Sequence, residues 1–427
     1  IQLTPGTYTF VCYNDKVTRS GNDLTVAIAD AETARIGRAE NVVVSGKKQK
    51  IPFVMKHAGC QIRFIYYIPA LEMYKSEDIK ASVSSDIGSV PTTVTMNAFT
   101  TNVSYGSGTI TGVPLNVDNL HGKTLEGWDD RSGCQGYSNL TYILPSTNSS
   151  SFTLNFISGQ IWETEFTGKS IKVPTSKVMK MNGSYVVKFK IFTKPYYLFS
   201  DGTAGLIAKH PGKTPIGLVV YRPMHLAMAL KDVDAGTTYQ WNSLIPSAIN
   251  NNDERFSSEH PDDVYILGSE ATISSDPGAY AISYRGFMTP STSEVKANST
   301  NFPAFYAAAH YTPGVPVTGT NINHWFLPTV YSWRNLLLHY GKNISSAYTF
   351  SSWTDQFDYS SSSIASLFTS VGGTAPTGMY WTGREYEDTS SGTPQYYGVS
   401  MFLDNNKVSI WKSDKWDLKK VRPFIYY

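Results

Sequence analysis

Three carboxylates and a tyrosine lie close together in the last tenth of the chain, in the run Arg384-Glu385-Tyr386-Glu387-Asp388. A pair of carboxylates is what acid/base hydrolysis of a glycoside needs. A charge run in a turn is more often a solvated surface, and Arg384 beside Glu385 offers a structural ion pair. We therefore interpret this run as a surface feature without catalytic function.

Other motifs that carry catalysis or bind metals are absent from the sequence. It contains no H-E-x-x-H, no G-x-S-x-G, no phosphate-binding loop and no zinc-spaced Cys/His cluster. Cys12, Cys60 and Cys134 are too few for a disulfide framework. Cys12 and Cys60 alternate with apolar neighbours, and His57 and His225 lie in apolar surroundings, so we predict all four in the core. We predict no cofactor, no metal and no enzymatic activity.

A contact surface for a ligand is a better interpretation of the same region. Tyrosines among adaptable polar neighbours supply contact area at low entropic cost. We predict a ligand-binding surface made of Tyr386, Tyr396, Tyr397, Glu385 and Asp388. Five tryptophans in this half can stack on sugars, but four of them lie at motif or strand positions where we expect core packing. Those four are Trp325, Trp333, Trp381 and Trp411, and the fifth is Trp416.

The amino-acid composition limits the kinds of function that the chain can have. Charged residues make up 16% of the 427 residues and aromatic residues 13%, a profile typical of an extracellular β protein. The net charge of +2, without a long basic block, argues against a nucleic-acid partner. The most apolar stretch, residues 216–230, contains Arg222, Pro223 and His225 and is too short and too polar for a membrane span.

Hydrophobicity alternates with a period of two up to about residue 193. This pattern, separated by turn-forming residues, predicts antiparallel sheets in a β-sandwich with little helix. The alternating sets are Tyr8, Phe10 and Cys12; Leu24, Val26 and Ile28; Ile62, Phe64 and Tyr66; Phe152, Leu154 and Phe156; and Val187, Phe189 and Ile191.

The pattern changes near Thr193-Lys194-Pro195, where we predict a domain boundary. Alanine-rich residues 302–311 predict one helix. A second is predicted after Thr329, its N-cap, with an apolar stripe from Val330 to Tyr340 and Gly341 beyond its end. Ser-rich loops and short strands at 398–403 and 407–411 should follow, so we predict an α+β domain.

Four segments of the first 190 or so residues are informative: Pro5-Gly-Thr-Tyr-Thr-Phe10, Ile51-Pro-Phe-Val-Met-Lys-His57 with the strand after it, Tyr142-Ile-Leu-Pro145 and Met181-Asn-Gly-Ser-Tyr185. In these segments the chain resembles fimbrillin-like proteins of Bacteroidetes. The resemblance implies a mostly β chain with a transthyretin-like antiparallel β-sandwich. Residues 1–46 would be the later part of a first sandwich, and residues 47–194 the second.

Residues 195–427 contain the motifs Trp325-Phe-Leu-Pro-Thr329, Tyr380-Trp-Thr-Gly-Arg-Glu385-Tyr386 and Val421-Arg-Pro423. In these motifs the segment is similar to the FISUMP-type domain of surface proteins from the same phylum. Ser332 stands where the family has a glutamate, so any role of that carboxylate is in doubt. The resemblance implies an α+β fold of the C-type-lectin-like kind, but the calcium-site motifs of sugar-binding lectins are missing.

Together the resemblances imply a structural and adhesive subunit of a surface fimbria, at its tip and exported across the outer membrane as a lipoprotein precursor. The implied partners are other fimbrial subunits, which donate a strand, and a glycan or protein on a host or bacterial surface. Because Ile1 already begins a strand pattern, we predict a strand-acceptor groove at Tyr8, Phe10, Val26 and Ile28. The alternatives are a stand-alone glycan-binding lipoprotein and an extracellular hydrolase.

Overall fold

The computed structural model describes residues 1–427 apart from 47, 70–78, 101, 121–122, 125–126, 129–132, 162, 192–193, 223–224, 245–254, 257–286, 289–291 and 342–355. The chain divides into two compact units. The first takes in Ile1–Pro69, Lys75–Thr124 and Gly133–Phe192, and the second contains Thr193–Tyr427.

The regular secondary structure before residue 193 consists almost entirely of strands in the described part of the chain. They are β1 (Gly6–Tyr13), β2 (Thr18–Ser20), β3 (Asp23–Ala27), β4 (Arg35–Val44), β5 (Lys56–His57), β6 (Cys60–Pro69), β7 (Lys80–Ser85), β8 (Thr93–Asn97), β9 (Val103–Tyr105), β10 (Val113–Leu120), β11 (Lys123–Thr124), β12 (Gly127–Trp128), β13 (Gly133–Tyr137), β14 (Thr141–Ile143), β15 (Phe152–Ser158), β16 (Gln160–Ile161), β17 (Thr164–Glu165), β18 (Ser170–Lys172) and β19 (Ser184–Lys190). Among the described residues of this part, helical structure is limited to the 3₁₀ turns Ile28–Asp30 and Ser149–Ser151.

The largest sheet of the first unit has the order β14-β6-β13-β10-β7-β15-β18, with β19 parallel to β6 on the other edge of that strand. The alternating pattern determines which face of β15 is buried: Phe152, Leu154 and Phe156 point into the core. There the ring of Phe152 packs edge-on against Phe64 at 4.9 Å. The period of two therefore predicted both the strand and its buried side correctly.

Two smaller sheets of the first unit have the orders β1-β4-β5 and β2-β3-β8-β9, and β16 pairs with β17 in a two-stranded sheet. In the second of them Leu24 pairs with Met96 and Val26 with Val94. Val26 and Val94 share a core with Leu144. Residues 1–46 and residues 47–194 thus contribute strands to the same sheet and side chains to the same core.

The second unit combines strands with three helices in its described part. Its strands are β20 (Tyr197–Phe199), β21 (Ala204–Gly205), β22 (Pro215–Tyr221), β23 (Leu226–Ala229), β24 (Thr238–Tyr239), β25 (Arg255–Phe256), β26 (Phe287–Met288), β27 (Thr292–Val295), β28 (Gln356–Asp358), β29 (Gly378–Asp388), β30 (Gln395–Asp404), β31 (Lys407–Ser413), β32 (Lys419–Lys420) and β33 (Phe424–Tyr426). Its helices are α1 (Pro303–Ala309), α2 (Val330–Tyr340) and α3 (Ser361–Thr369).

Two of these helices lie where the sequence predicts them. At α2 the Thr329 hydroxyl accepts a hydrogen bond from the backbone N–H of Ser332, at 3.4 Å, as an N-cap should. Gly341 ends the helix in a right-handed conformation, with its N–H bonded to the carbonyl of Leu337, so the left-handed geometry expected of a glycine there is not used.

Helix α3 is a correction, because residues after α2 were predicted to be loops and strands. Its first residues are serines, which have poor helix propensity. The Ser360 hydroxyl accepts from the backbone N–H of Ser363 at 3.3 Å, and Ile364 and Phe368 are buried on one face. Capping and burial together outweigh the weak propensity.

The core of the second unit joins two sheets to α2. One sheet has the order β21-β20-β22-β23-β33, and the other β24-β32-β29-β30-β31-β28, with β25 on β29. Trp333 of α2 packs with Leu218 of β22, Met401 of β30 and Phe424 of β33 in one buried cluster. The chain as a whole is mostly β with several antiparallel sheets, as predicted. None of the helices in the described part of the chain has the length and hydropathy to span a membrane.

Candidate functional site

The antiparallel hairpin of β29 and β30 brings the predicted ligand residues together. Tyr386 pairs with Tyr397, and Asp388 lies on the same strand two residues beyond Tyr386. Tyr396 pairs with Glu387, and its hydroxyl donates to the Glu387 carboxylate at 3.3 Å. The five predicted residues are therefore neighbours, but they differ in exposure.

Glu385 lies inside the protein and not on its surface. It is 1% exposed, and its Oε2 lies 3.2 Å from Nζ of Lys415, which is 0% exposed. Burial lowers the pKa of Lys415, and the Glu385 carboxylate opposes that shift. The expectation of a solvated charge run is thus wrong for Glu385, whose ion-pair partner is Lys415. Tyr386, next in the chain, is also buried.

The partly exposed end of the hairpin is organised around Lys412. Its Nζ lies 2.5 Å from Oδ2 of Asp388. The same ammonium group lies 5.7 Å from the ring centroid of Tyr386 and 5.4 Å from that of Tyr397. This ammonium group therefore links Asp388 to two of the predicted tyrosines.

The Asp388–Lys412 pair predicts a pH dependence of stability. Hydrogen bonds from Lys412 and Ser390 lower the pKa of Asp388 to about 2. A pKa that is lower in the folded state stabilises it above the unfolded-state value of about 3.9 and stops doing so as pH falls through about 2. The wild-type chain should have a higher Tm than Asp388→Asn at pH 7, and thermal melts should show this difference shrinking between pH 4 and pH 2. A difference that stays constant from pH 7 to pH 2 would contradict the assignment.

The tryptophans and histidines follow the predictions in part. Trp325, Trp333 and Trp381 are buried, as expected. Trp411 is 45% exposed, because its position on β31 faces solvent, so its assignment to the core is wrong. His225 is exposed with a positive φ of 52°, which corrects its prediction as a core residue.

The residues predicted as a strand-acceptor groove lie on two different sheets and, in the case of Ile28, on the 3₁₀ turn that follows β3. Tyr8 and Phe10 are on β1, an edge strand paired with β4. Val26 is fully buried on β3, between β2 and β8, and Ile28 packs partly buried against the same core. The structure therefore does not bring these four side chains to one open surface.

An apolar groove that the sequence analysis did not identify lies along β9, the last strand in the order β2-β3-β8-β9. We call it the edge groove; its volume is about 310 Å³. Its lining residues are Val94, Met96, Val103, Tyr105, Pro145, Ser146, Val178, Met179, Lys180 and Met181. The alternation Val103-x-Tyr105 was the available sequence feature, but nothing in the sequence indicates that residues 178–181 face it.

A larger cavity of about 950 Å³ lies in the second unit, and we call it the loop pocket. It is formed by the loop 231–235, by α1 and the residues after it, by the loop 374–377 and by Lys420. Within the described part of the chain, no three His, Cys, Asp or Glu side chains are arranged to hold a metal ion. Its walls come from four separate segments, so no local sequence pattern indicates this pocket.

No protein-family model and no curated protein matches the chain in sequence. Solved structures match it weakly in shape. A protein of Bacteroides uniformis, provisionally described as a cell adhesion protein, is 17% identical with a TM-score of 0.28, over 44% of this chain and 68% of its own. A fimbrial protein of Bacteroides vulgatus is 14% identical with a TM-score of 0.26, over 42% and 68%.

A fimbrial protein of Bacteroides ovatus is similar over 92% of this chain and 76% of its own, with 12% identity and a TM-score of 0.27. All three TM-scores are below 0.5. The likeness therefore establishes neither a family nor a function, and the proposals below rest on the geometry of the chain.

Proposed function

We propose that the chain is an adhesive subunit at the tip of a bacterial surface fimbria. Its first unit accepts a β-strand from a neighbouring subunit, and its second unit presents a ligand-binding surface at the cell surface. The observation that carries the proposal is that, within the described part of the chain, no strand pairs with the outer edge of β9, which lies beside an apolar groove. Strand addition needs both features: main-chain groups for pairing and a groove for alternate side chains.

The hydrogen-bond register of β9 leaves main-chain groups available on its outer edge. The N–H of Gly106 donates to the carbonyl of Thr93, and the N–H of Asn97 donates to the carbonyl of Asn102. Residue pairs in an antiparallel ladder alternate between hydrogen-bonded and non-hydrogen-bonded pairs. The main-chain N–H and carbonyl groups of Ser104 therefore point toward β8. Val103 and Tyr105 therefore direct their N–H and carbonyl groups away from β8, toward an added strand.

The side chains around this edge are apolar and unusually exposed. Val103 is 46% exposed, Tyr105 45% and Val178 53%. An added strand with apolar residues at alternate positions would cover them and remove this surface from water. Hydrophobic burial and main-chain hydrogen bonds would then act together.

The tip position is the finer part of the proposal. Strand β33 is already paired with β23 inside the second unit, through Leu226 and Tyr426 and their neighbours. That strand is therefore engaged and not free to fill a groove on another subunit. The tip position adds the proposal that this chain accepts a strand and does not donate one, since such a subunit can lie only at one end of a fibre.

Photo-crosslinking on intact cells tests this function. A photoreactive phenylalanine analogue placed at Val103 should form an adduct with another fimbrial subunit, and mass spectrometry should locate the adduct in a strand of that subunit. The matched control places the analogue at Ile157, which is also exposed but lies on β15, between β7 and β18. No adduct is expected there.

Tyr105→Pro supplies the decisive variant. It removes an outward N–H without breaking a bond to β8, so the fold should tolerate it. The Val103 adduct should disappear with Tyr105→Pro and persist with Tyr105→Val, which keeps the N–H. An adduct that survives the proline variant would overturn strand addition at β9. Long fibres of the purified chain alone would overturn the tip position.

A further inference from the structure

The loop 231–235 at the loop pocket holds a strained backbone. Asp234 and Ala235 have φ angles of 43° and 55°, and Gly236 follows with 96°. Left-handed geometry is unfavourable for residues other than glycine, and Asp tolerates it better than Ala does. Such strain persists where the surroundings impose it and is concentrated at binding sites. The Asp234 side chain lies at the pocket wall.

The polar groups at the wall are already oriented by the protein. The hydroxyl of Tyr239 donates to Oδ2 of Asp234. Burial, assisted by Asp234, raises the pKa of Tyr239 to about 12. The hydroxyl is a donor at neutral pH, as a tyrosine is at its ordinary pKa of about 10. Lys420 donates to the carbonyl of Thr377 at 2.9 Å. Groups held in this way lose little freedom when a ligand replaces water.

The charges of the pocket nearly cancel. Lys231 and Lys420 are positive, and Asp232 and Asp234 are negative. Asp232 is further held by the buried guanidinium of Arg422, whose Nε lies 2.6 Å from Oδ1. The pocket therefore lacks the strong field of one sign that would select an anion or a cation. Its polar lining suits a neutral ligand with many hydroxyl groups.

A stacked pair of aromatic rings lies at the same pocket. The rings of Tyr306 and His310 are stacked, with centroids 3.9 Å apart and planes inclined by 21°. His310 is exposed, and both residues line the pocket together with Tyr311. Aromatic side chains that present an apolar face beside polar groups suit ligands that are apolar on one side and polar on the other. A pyranose ring, with C–H faces and equatorial hydroxyls, has this character.

We propose that the loop pocket binds a neutral saccharide, with the Tyr306–His310 pair against a sugar face and Asp234 and Lys420 bonded to its hydroxyls. The inference rests on the proposed adhesive role of the second unit, but not on strand acceptance by the first. It names both the site and the class of ligand for that role.

Binding of the purified full chain to a printed panel of neutral, sialylated and sulfated oligosaccharides tests the inference. Neutral members should bind, and titration calorimetry with one of them should measure the dissociation constant. His310→Ala should weaken binding about threefold to tenfold, as the loss of one aromatic contact implies. Asp234→Asn preserves the size and tolerates the left-handed backbone, and the loss of a charged acceptor should weaken binding about tenfold.

Matched controls are His324→Ala and Asp358→Asn, which change exposed residues outside the pocket and should leave the dissociation constant unchanged. Thermal melts establish that each variant is folded. If no neutral oligosaccharide bound the folded chain, the inference would fail. Binding of only the sialylated or sulfated members, or equal binding by the pocket variants, would also overturn it. Since the Val103 crosslink reports on β9 alone, failure here leaves strand acceptance separately testable.

Discussion

Glu385→Gln is expected to destabilise the second unit by about 3–5 kcal/mol at pH 7, the usual cost of breaking a buried ion pair on one side. The substitution keeps the shape of the side chain but removes the charge that faces Lys415, whose side chain is 0% exposed. Urea denaturation followed by tryptophan fluorescence measures the effect. Only Trp128 and Trp162 of the nine tryptophans precede residue 193, so fluorescence reports mainly on this unit.

The double variant Glu385→Gln/Lys415→Met separates the ion pair from the packing. It removes both charges, so a large part of the lost stability should return, because no charge is left buried without its counterion. Asp358→Asn is the matched control. This substitution breaks the exposed ion pair between Asp358 and Lys407 and should lower the free energy of unfolding by less than about 1 kcal/mol. If Glu385→Gln cost no more than this control, the pair would not be buried as described.

Trp333→Ala is expected to lower the free energy of unfolding by about 3–5 kcal/mol, the range for removing a large aromatic side chain from a core. Trp333 is 0% exposed and lies 4.9 Å from the ring of Tyr380 and 5.7 Å from that of Phe424. Its removal opens a cavity where α2 meets strands of both sheets. The shift of the urea midpoint, converted with the measured slope, gives the change in the free energy of unfolding.

Trp411→Ala deletes the same side chain from a position that is 45% exposed. It loses one hydrogen bond, from Nε1 to Oγ of Ser409 at 2.9 Å, and leaves no buried cavity. The expected cost is about 1 kcal/mol. If Trp333→Ala and Trp411→Ala lowered the free energy of unfolding equally, α2 would not form the centre of the core.

Local patterns in the sequence were sufficient for much of the secondary structure. The alternation of Phe152, Leu154 and Phe156 predicted strand β15 and its buried face, because a strand places every second side chain on one side. The helical stripe after Thr329 predicted α2 and its N-cap, because capping and amphipathicity act within a few residues. Such features depend on neighbours in the chain, so they are visible without the fold.

The binding surfaces depended on contacts between distant residues. Glu385 meets Lys415 because β29 and the segment after β31 come together, and this pairing converted a predicted surface charge into a buried one. The edge groove joins β9 to residues 178–181, and the loop pocket joins segments from residue 231 to residue 420. The sequence alone determined strands such as β15 and the helices α1 and α2, because local sterics, capping and periodicity decide those elements, whereas α3 also depended on the burial of Ile364 and Phe368. Tertiary structure alone decided which edge stays open and which charges are buried, because both depend on what packs against each segment.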